Sequence, residues 1–505
     1  MSNPNPSVPP VRAPRWIVWL GLAALAGYAV FLARNSTVAA GGSDSSGYLN
    51  SARLLAAGRL ATEVRVPAEL GGPAGLFRPD FQPLGFRATA ESPRMVPTYP
   101  VGLPLHLAIA GKILGWSWGP LLCGLSAAVA AVWLCYAVGR ELGLAVSLAA
   151  AAAVVLAACP VLLYTSIQPL SDTLATAWCL GAVWAALRAR RHAGWSAACG
   201  AACGIAVLVR PTDIVLLPAL VVLLGWRWRR LALAALAGLP AAGWLAFYND
   251  ALYGGVLRSG YPSLGTAFAA SYVAPTALHF LHWLAVFLPA VLFVLPLAAL
   301  GRRETRTREL LALGLWFAAI TAVYLSYSIS HEAWSCLRFI LPAIPALVLA
   351  GMLGIDALAR THVANTAGHI RCVAALIVAV WAVVASWCWT RPHAVFYTRG
   401  YENAYTSASL TARALFPKNA LVLCSLFSGS IYYYTDSPVL RWDFLDASNF
   451  GRYADRARKS GLPICAVLFD VEEQDALREH CPGPWRRLAA VGNVTLWQLG
   501  PAAEK

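Results

Sequence analysis

The chain has 505 residues, of which 59% are hydrophobic and only 12% are charged, and its mean hydropathy is +0.60. A soluble protein carries roughly 25% charged residues, so a water-soluble globule of this length is excluded. The net charge of +15 does not indicate nucleic-acid binding, because the basic residues lie in short loops between apolar blocks and not on one face of a folded domain.

Apolar blocks follow one another along the chain, and each is a predicted transmembrane helix. A helix needs about 20 mostly apolar residues to cross the roughly 30 Å hydrocarbon core of a bilayer. The short blocks 194–209 and 212–226 are separated only by a tight turn, and their boundary is the least well defined. The predicted spans number about eleven: 16–34, 118–139, 144–163, 172–189, 194–209, 212–226, 231–248, 280–300, 309–327, 338–355 and 372–389.

The charge distribution predicts the side of the membrane on which each loop lies. With the amino terminus inside, arginine-rich loops such as 188–191 and 302–308 all fall on the inner side, and the long polar segments all fall outside. This asymmetry follows the positive-inside rule. We therefore predict a cytoplasmic amino terminus and extracytoplasmic segments at 35–100, 249–278 and 390–505.

The predicted location is the bacterial inner membrane. Arginine is far more frequent than lysine, and alanine is abundant, which is typical of a GC-rich bacterial genome. The first apolar block, 16–34, has a second interpretation as a signal peptide, since Val38-Ala39-Ala40 resembles a cleavage site. An uncleaved anchor is favoured, because the block is longer than the roughly 7–15 apolar residues of a signal peptide.

The chain divides into a mainly α-helical, polytopic membrane domain over 1–389, with a large first outer loop at 35–100, and an extracytoplasmic α/β domain over 390–505. No glycine-rich phosphate loop opens a helix of the second domain, so we predict a recognition or lid element. A disulfide among its three cysteines stays open. Its predicted elements are strands at 420–426, 439–443 and 464–470, a helical turn at 430–435, helices at 449–460 and 472–480, and strand-like alternation over 485–499.

The segment after the first span holds the main candidate for a catalytic group, Asp44. Residues 45–57 predict a short amphipathic helix along the membrane surface, with Tyr48 on its apolar face and Asp44 at its start. A carboxylate in this place can cap the free backbone N–H groups of the helix. It can equally serve a substrate cavity at the membrane boundary, and the two interpretations are compatible.

Other polar groups stand at the outer ends of predicted spans. Asp172 and Arg210 are ionisable groups at membrane depth, where charges tend to mark functional sites or ion pairs. A structural pair between Arg210 and the neighbouring Asp213 is the alternative. Arg338 begins an apolar helix, where its guanidinium suits a lipid phosphate, although it can also extend to lipid headgroups. His331 lies in the short loop before it.

Five short motifs thus lie in order on the predicted outer face. They are the Asp44 loop, Tyr99-Pro100-Val101-Gly102-Leu103-Pro104, Pro169-Leu170-Ser171-Asp172, Arg210-Pro211-Thr212 and Arg338-Phe339-Ile340-Leu341-Pro342-Ala343-Ile344-Pro345. In their order and common side they resemble the C-type glycosyltransferases, which take sugars from lipid phosphates. The resemblance covers roughly 16–355 and is closest to bacterial members of families 39 and 83, related to protein mannosyltransferases and aminoarabinose transferases.

The resemblance implies an inverting hexosyl- or pentosyltransferase that works outside the cytoplasm. Its donor would be a polyprenyl-phosphate sugar, and its acceptor a hydroxyl of a lipid, glycan or protein. Asp44 matches the acidic residue after the first span that is expected to act as the general base in the superfamily. Arg338 and Arg210 would contact the donor phosphate. The expected substrate-binding residues are Tyr48, Tyr99, Asp172 and His331.

The resemblance is incomplete at the position of the base. Many members carry an acidic pair there, whereas this chain has Asp44-Ser45. One carboxylate makes a poor site for a divalent cation, so no metal ligand is assigned and no cofactor is certain, while a divalent cation stays open.

Two other functions remain open. A transporter or flippase of lipid-linked sugars would line its path with intramembrane charges, but no inverted repeat is evident and the outer segments are large. A polymerase or ligase of surface polysaccharides usually carries its large loop late in the chain, whereas here a large loop follows the first span.

Overall fold

The computed structural model describes residues 15–71, 79–89, 94–261, 264–300 and 307–501. It confirms a mainly helical membrane protein with a small sheet domain near its carboxyl end. The α-helices are α1 Arg15–Asn35, α2 Asp44–Ala56, α3 Gly102–Glu141, α4 Val146–Ala158, α5 Pro160–Ser166, α6 Ser171–Arg188, α7 Trp195–Val209, α8 Leu217–Leu224, α9 Trp228–Tyr253, α10 Leu264–Ala267, α11 Val273–Phe287, α12 Val291–Leu300, α13 Thr307–Leu325, α14 Ile344–Ala359, α15 Ala364–Thr390, α16 Thr398–Leu415, α17 Ser428–Tyr434 and α18 Ala447–Ser460. Longer 3₁₀ segments are Pro211–Leu216, Ser328–His331 and Trp334–Ala343.

Every predicted span coincides with helix, but fewer helices than expected can cross a membrane. In the described ranges, six helices are long and apolar enough, or eight if each of two sharply bent pairs is one span. The other predicted spans fall on α6, α7 and the segment Pro211–Leu224. The last two have only 10–17 residues, short of the roughly 20 that a bilayer core requires, so the expected number of about eleven is too high by this criterion.

Glycine and proline interrupt several of the apolar helices. Gly115 has φ 77° inside α3 and separates the predicted span 118–139 from the helical turns before it. Pro160 follows a 60° bend between α4 and α5, because proline has no N–H to continue the helix. Pro289 lies in the gap of a 96° bend between α11 and α12.

Arginine-rich loops gather at one end of the helices, away from Asp172. Asp172 lies in the first turn of α6 and Arg188 in its last. Next to that last turn, Arg190 pairs with Glu309 at 2.5 Å, and Arg191 pairs with Glu141 at 2.9 Å. Of the predicted basic loop 302–308, Arg308 donates to the backbone oxygens of Val222 and Leu223, and residues 302–306 lie outside the described ranges.

The first outer loop forms a small antiparallel sheet beside α2. Its strands are β1 Thr62–Glu63, β2 Phe86–Ala88 and β3 Arg94–Pro97, in the order β1-β3-β2. The helix α2 agrees with the predicted 45–57, and nine of its thirteen residues are buried within the protein. It packs between α3 and the carboxyl-terminal part of the chain.

The carboxyl-terminal part contains a mixed five-stranded sheet with the order β5-β4-β6-β8-β7. Strands β4, β5 and β6 run parallel, whereas β7, β8 and β6 are antiparallel neighbours. Each predicted element has a counterpart, and the alternation over 485–499 is a hairpin. The strands are β4 Leu421–Leu423, β5 Val439–Leu440, β6 Ile464–Phe469, β7 Trp485–Val491 and β8 Val494–Leu499. All twelve cysteines are unpaired, including Cys424, Cys465 and Cys481.

The first outer loop and the carboxyl-terminal sheet share one hydrophobic core. Phe81, Phe86 and Met95 of the loop pack in the same buried cluster as Leu423 and Phe450. A separate, larger cluster lies among the membrane helices. The carboxyl-terminal part is therefore packed firmly against the segment that carries Asp44.

Candidate active site

Asp44 is the first residue of α2, and both of its carboxylate oxygens have partners from distant segments. Tyr99 donates its hydroxyl hydrogen to Oδ1 at 2.7 Å. Arg338 donates from Nη2 to Oδ2 at 2.6 Å. The residue preceding the helix is Ser43, and no side chain caps the helix start. Asp44 is thus held by tertiary contacts and not by the capping interaction that the sequence left open.

The surroundings of Asp44 keep its carboxylate ionised. Burial by itself raises the pKa of Asp44, but the Arg338 guanidinium and the Tyr99 hydroxyl outweigh burial and hold that pKa below its usual value. Burial, followed by the charge of Asp44, raises the pKa of Tyr99 well above its ordinary value. Tyr99 therefore remains a protonated hydrogen-bond donor to an ionised Asp44.

Asp172 and Arg210 form a buried pair behind Arg338. Arg210 Nη1 is 2.9 Å from Asp172 Oδ1, and Arg338 Nη1 is 4.0 Å from Asp172 Oδ2. The side chains of Asp172 and Arg210 are 5% and 8% exposed, whereas those of Asp44 and Arg338 are 29% and 22% exposed. Asp44 and Arg338 are therefore more accessible than Asp172 and Arg210.

Arg210 is held by three partners. Besides Asp172, its Nη2 donates to the Tyr324 hydroxyl at 2.9 Å, and its Nη1 donates to the backbone oxygen of Arg338 at 3.2 Å. The alternative pair with Asp213 does not form as a hydrogen bond. Asp213 accepts only a long contact of 3.6 Å from the Cys179 thiol, and its Oδ1 has no hydrogen-bond partner.

Tyrosine rings line the same region. Tyr48 and Tyr99 lie 4.8 Å apart between ring centroids, and the Tyr48 hydroxyl donates to Ser171 Oγ at 3.0 Å. Tyr261 approaches Tyr99 at 6.0 Å. Tyr48 therefore links α2 to the residue before Asp172, so that both predicted tyrosines join the charged cluster.

His331 contacts a neighbouring pair of residues. Its Nδ1 lies 3.4 Å from Thr276 Oγ1, and its ring lies 5.9 Å from the ring of Tyr272. These contacts tie the turn Ser328–His331 to the helix α11. The charged residues of the cluster are not among these partners.

Three residues of the site could not be recognised in the sequence. The one feature in the sequence that could have indicated Tyr324 is its hydroxyl, which is a polar group near the end of an otherwise apolar predicted span. Ser43 Oγ lies 2.6 Å from the Tyr99 hydroxyl, but a loop serine is unremarkable in sequence. Glu402 comes from α16, and it approaches Gly41 closely in the Asp44 loop; nothing in the sequence connects the two segments.

Glu402 is a partly buried acid with no hydrogen bond at one oxygen. Its Oε2 is enclosed and has no partner. Burial, and after it the negative charge of Asp44, raise the pKa of Glu402 to about 7. It is therefore a second carboxyl group of the Asp44 region, supplied by the carboxyl-terminal part of the chain.

The carboxylate of Asp44 is already engaged and offers no free oxygen to a divalent cation. Such an ion prefers oxygen ligands, with one or more carboxylates among them, whereas both oxygens of Asp44 accept hydrogen bonds from Tyr99 and Arg338. Within the described part of the chain, no three His, Cys, Asp or Glu side chains are grouped as metal ligands.

Solved structures with the same architecture are membrane glycosyltransferases. ArnT from Cupriavidus metallidurans, bound to undecaprenyl phosphate, superposes with a TM-score of 0.59 at 16% identity, over 97% of this chain and 100% of that chain. The arabinofuranosyltransferase AftD from Mycobacteria gives 0.53 at 14% identity, over 97% of this chain and 42% of that one. An Archaeoglobus fulgidus oligosaccharyltransferase gives 0.51 at 12% identity, over 90% and 70%.

Sequence comparison supports the same assignment over part of the chain. Residues 99–253 match the family model of dolichyl-phosphate-mannose-protein mannosyltransferase. No curated protein matches the chain in sequence. The matched region includes Tyr99, Asp172 and Arg210, and the structural matches extend over nearly the whole chain. The resemblance found in the sequence is confirmed: the chain is a membrane protein with the fold of the C-type glycosyltransferases.

Proposed function

We propose that this protein is an inverting membrane glycosyltransferase that moves a hexosyl or pentosyl group from a polyprenyl-phosphate donor to a hydroxyl of a lipid, glycan or protein acceptor. The observation that carries the proposal is the accessible pair of Asp44 and Arg338, 2.6 Å apart. The pair places a carboxylate base next to a guanidinium suited to phosphate. In sugar transfer from a lipid phosphate, a base can take the proton of the acceptor hydroxyl, and a cation can stabilise the departing phosphate.

Asp44 is the general base of the proposed reaction. The acceptor oxygen attacks the anomeric carbon, its proton passes to Asp44, and the bond from that carbon to the phosphate oxygen breaks. Attack opposite the leaving phosphate inverts the anomeric centre. Because the pKa of Asp44 lies below its usual value, the carboxylate is ionised and ready to accept the proton. General-base help is typically worth about 10²–10⁴ in rate.

Arg338 is the proposed contact of the donor phosphate. Its guanidinium is partly exposed and always charged, and it can bind phosphate oxygens through two parallel N–H groups. When Arg338 turns towards the phosphate, Asp44 loses its strongest positive neighbour and becomes a better base. Arg210 already has three partners, so its role in phosphate binding is to fix Arg338 through the backbone oxygen and through Asp172.

The remaining predicted residues shape the substrate cavity. Tyr99 fixes the carboxylate of Asp44, and Tyr48 packs against Tyr99. His331 lies beside Thr276, and we propose that it borders the acceptor side of the cavity.

The proposed domain organisation is the one predicted from the sequence, with a membrane domain over 1–389 and an α/β domain over 390–505.

The proposed location is the outer face of a bacterial inner membrane, with the amino terminus in the cytoplasm. Arginine-rich loops cluster at the end of the bundle opposite Asp172, which supports an outward-facing site under the positive-inside rule. Nucleotide sugars are cytoplasmic, so an outward-facing enzyme needs a donor carried by the membrane. The undecaprenyl phosphate bound by ArnT supports a polyprenyl carrier.

Sugar transfer by the reconstituted protein tests the proposal. Full-length protein in lipid nanodiscs would be given synthetic undecaprenyl-phosphate-linked hexoses and pentoses together with extracted envelope lipids, glycans and proteins, and products would be followed by mass spectrometry. Asp44→Asn is expected to reduce transfer about 10²–10⁴-fold while the protein still binds undecaprenyl phosphate. The exposed Asp436→Asn is the matched control and should transfer normally.

Three outcomes would contradict the proposal in different ways. Wild-type transfer rates in Asp44→Asn would remove Asp44 from the role of base. Movement of a lipid-linked sugar across vesicles by the wild type, with no transferred product for any acceptor, would favour the flippase. Growth of a glycan by whole repeating units would favour the polymerase or ligase.

A further inference from the structure

The helix α17, Ser428–Tyr434, packs directly against α2, whose first residue is Asp44. Asn50 donates from Nδ2 to the backbone oxygen of Gly429 at 3.0 Å, and the Asn50 side chain is buried. Ser428 Oγ accepts the backbone N–H of Leu84 at 3.0 Å. The carboxyl-terminal part of the chain therefore contacts both the catalytic helix and the loop that follows it.

Gly429 allows the two helices to approach more closely than any other residue would. A Cβ atom added at Gly429 would lie 2.7 Å from the Cβ of Ser46, still closer to the Ser46 hydroxyl, and 3.2 Å from the backbone oxygen of Leu84. The hydroxyl can rotate away, but the Ser46 Cβ cannot move without its backbone. Ser46 lies two residues after Asp44, in the first turn of α2. A side chain at position 429 must therefore push the first turn of α2.

Two arginines fix α17 at its other end. Arg53 of α2 lies over the ring of Tyr433 at 3.4 Å and donates to the Tyr433 backbone oxygen at 2.7 Å. Arg65 lies over the Tyr432 ring at 3.8 Å and donates to the backbone oxygen of Thr435 at 2.9 Å. Because these contacts resist sliding of α17, a clash at Gly429 would be transmitted to α2.

The position of α2 matters because Asp44 depends on two short contacts made by its carboxylate. Those contacts reach Arg338 and Tyr99, which belong to other segments, at 2.6 Å and 2.7 Å. A shift of the first turn by a few tenths of an ångström alters both. Misplacement of a reacting group by about 1 Å can reduce a rate about 10²-fold.

We propose that Gly429 is a positioning residue for Asp44, so that the carboxyl-terminal domain is a fixed part of the catalytic apparatus and not a detachable lid. This inference rests on the proposed role of Asp44. The close packing of α17 on α2 sets where the carboxylate lies relative to Arg338. The expected effect of disturbing that packing is a loss of turnover with donor binding retained.

Gly429→Ala tests the inference. We expect kcat for sugar transfer to fall about 10- to 100-fold, with the KM for the undecaprenyl-phosphate sugar changed less than about threefold, because Arg338 is not displaced. The acid limb of the pH profile should move to higher pH, because Asp44 loses contact with Arg338 and Tyr99. The other acids near Asp44, Glu402 and Asp172, are unchanged in the variant.

A rescue variant separates this effect from general misfolding. Gly429→Ala combined with Ser46→Gly removes both Ser46 atoms that the new methyl group meets, so kcat and the pH profile should return to those of Ser46→Gly alone. Gly451→Ala, on α18 of the same domain with no atom within 4 Å of the added Cβ, is the matched control and should be unchanged. A Gly429→Ala variant with normal kcat, or one that Ser46→Gly does not recover, would overturn the inference.

Hydrogen exchange keeps the inference testable if the protein transfers no sugar at all. Amides of 44–56 should exchange faster in Gly429→Ala than in the wild type and Gly451→Ala, and should recover in the double variant. Unchanged exchange would overturn the inference that packing at Gly429 controls the position of α2. Faster exchange without any sugar transfer by the wild type would instead leave the coupling standing and reject the proposed function.

Discussion

At the scale of single residues, the site combines two opposing demands on Asp44. A base must be ionised, and the contacts with Arg338 and Tyr99 secure that by lowering the pKa of Asp44. The same contacts weaken its affinity for a proton, so in the proposed reaction the bound donor draws Arg338 away before proton transfer. The pairing of Arg338 with both Asp44 and Asp172 gives the guanidinium a second carboxylate as it turns to the phosphate.

Tyr99→Phe isolates the contribution of one hydrogen bond to Asp44. The ring and its packing on Tyr48 remain, but Oδ1 of Asp44 loses its donor, so the pKa of Asp44 rises. Asp44 works as the carboxylate, and activity is lost as pH falls through that pKa. The acid limb of the pH–rate profile should therefore shift to higher pH, and the protein should lose about 1 kcal/mol of stability. An unshifted acid limb in transfer assays would contradict this assignment of Tyr99.

At the scale of elements, a second close approach at a glycine, Gly47, positions α2. A Cβ at Gly47 would meet the Tyr99 ring at 2.5 Å and 2.6 Å and the Cα of Gly85 at 2.9 Å. Gly85 has φ +85°, a left-handed conformation that glycine adopts readily. The Asp44 helix is thus held between two glycine contacts, one from the first outer loop and one from α17.

Gly47→Ala should destabilise the protein although alanine is the better helix former. The gain in helix propensity is about 0.5–1 kcal/mol, whereas overpacking a dense site costs about 1–3 kcal/mol. Because the displaced neighbour is Tyr99, activity should fall as well. Thermal unfolding and sugar transfer measure the two effects. Gly400→Ala, on α16 with open space around the added Cβ, is the control, and equal behaviour of the two variants would contradict the packing argument.

At the scale of the whole molecule, the carboxyl-terminal part packs against the segment that carries Asp44. It shares a hydrophobic core with the first outer loop, and it places Glu402 of α16 against that loop at Gly41. One oxygen of Glu402 is enclosed without a partner. The junction between the two parts of the chain therefore contains a carboxyl group whose ionisation is unfavourable.

Glu402 makes the stability of the junction depend on pH. The pKa of Glu402 rises on folding from 4.5 to about 7. The contribution of Glu402 to the free energy of unfolding is therefore complete below its unfolded pKa of 4.5, and it is lost as pH rises through about 7. Glu402→Gln, a neutral replacement, should match the wild type near pH 4.5 and exceed it above pH 7. The free energy of unfolding of Glu402→Gln should exceed that of the wild type by at most about 3 kcal/mol, and partial exposure of the side chain reduces this value.

Melting temperatures of the nanodisc-embedded protein between pH 4.5 and pH 8.5 provide the measurement for Glu402→Gln. The exposed Glu479→Gln is the control, and its difference from the wild type should not depend on pH. A Glu402→Gln curve parallel to that of the wild type would show that Glu402 is not buried at this junction.

The elements with a strong local pattern were predictable. Long apolar blocks predicted helices because a segment in a bilayer must satisfy its backbone hydrogen bonds within itself, and alternation in 420–499 predicted the strands of the second sheet. The span count was overestimated because α7 and Pro211–Leu224 are apolar but short. Asp44, Asp172, Arg210 and Arg338 stood out because ionisable groups beside apolar helices need a reason.

The sequence by itself determined the membrane fold, the order of its helices and the charged residues at one end of the bundle, since hydropathy and charge act locally along the chain. Only the tertiary structure decided how those residues pair. Arg210 binds Asp172 across 38 positions and not the nearby Asp213, and Arg338 reaches Asp44 across 294 positions. The contacts of Glu402 and Gly429 with the Asp44 segment were equally invisible, because they depend on how closely two distant segments pack and no local pattern records that distance.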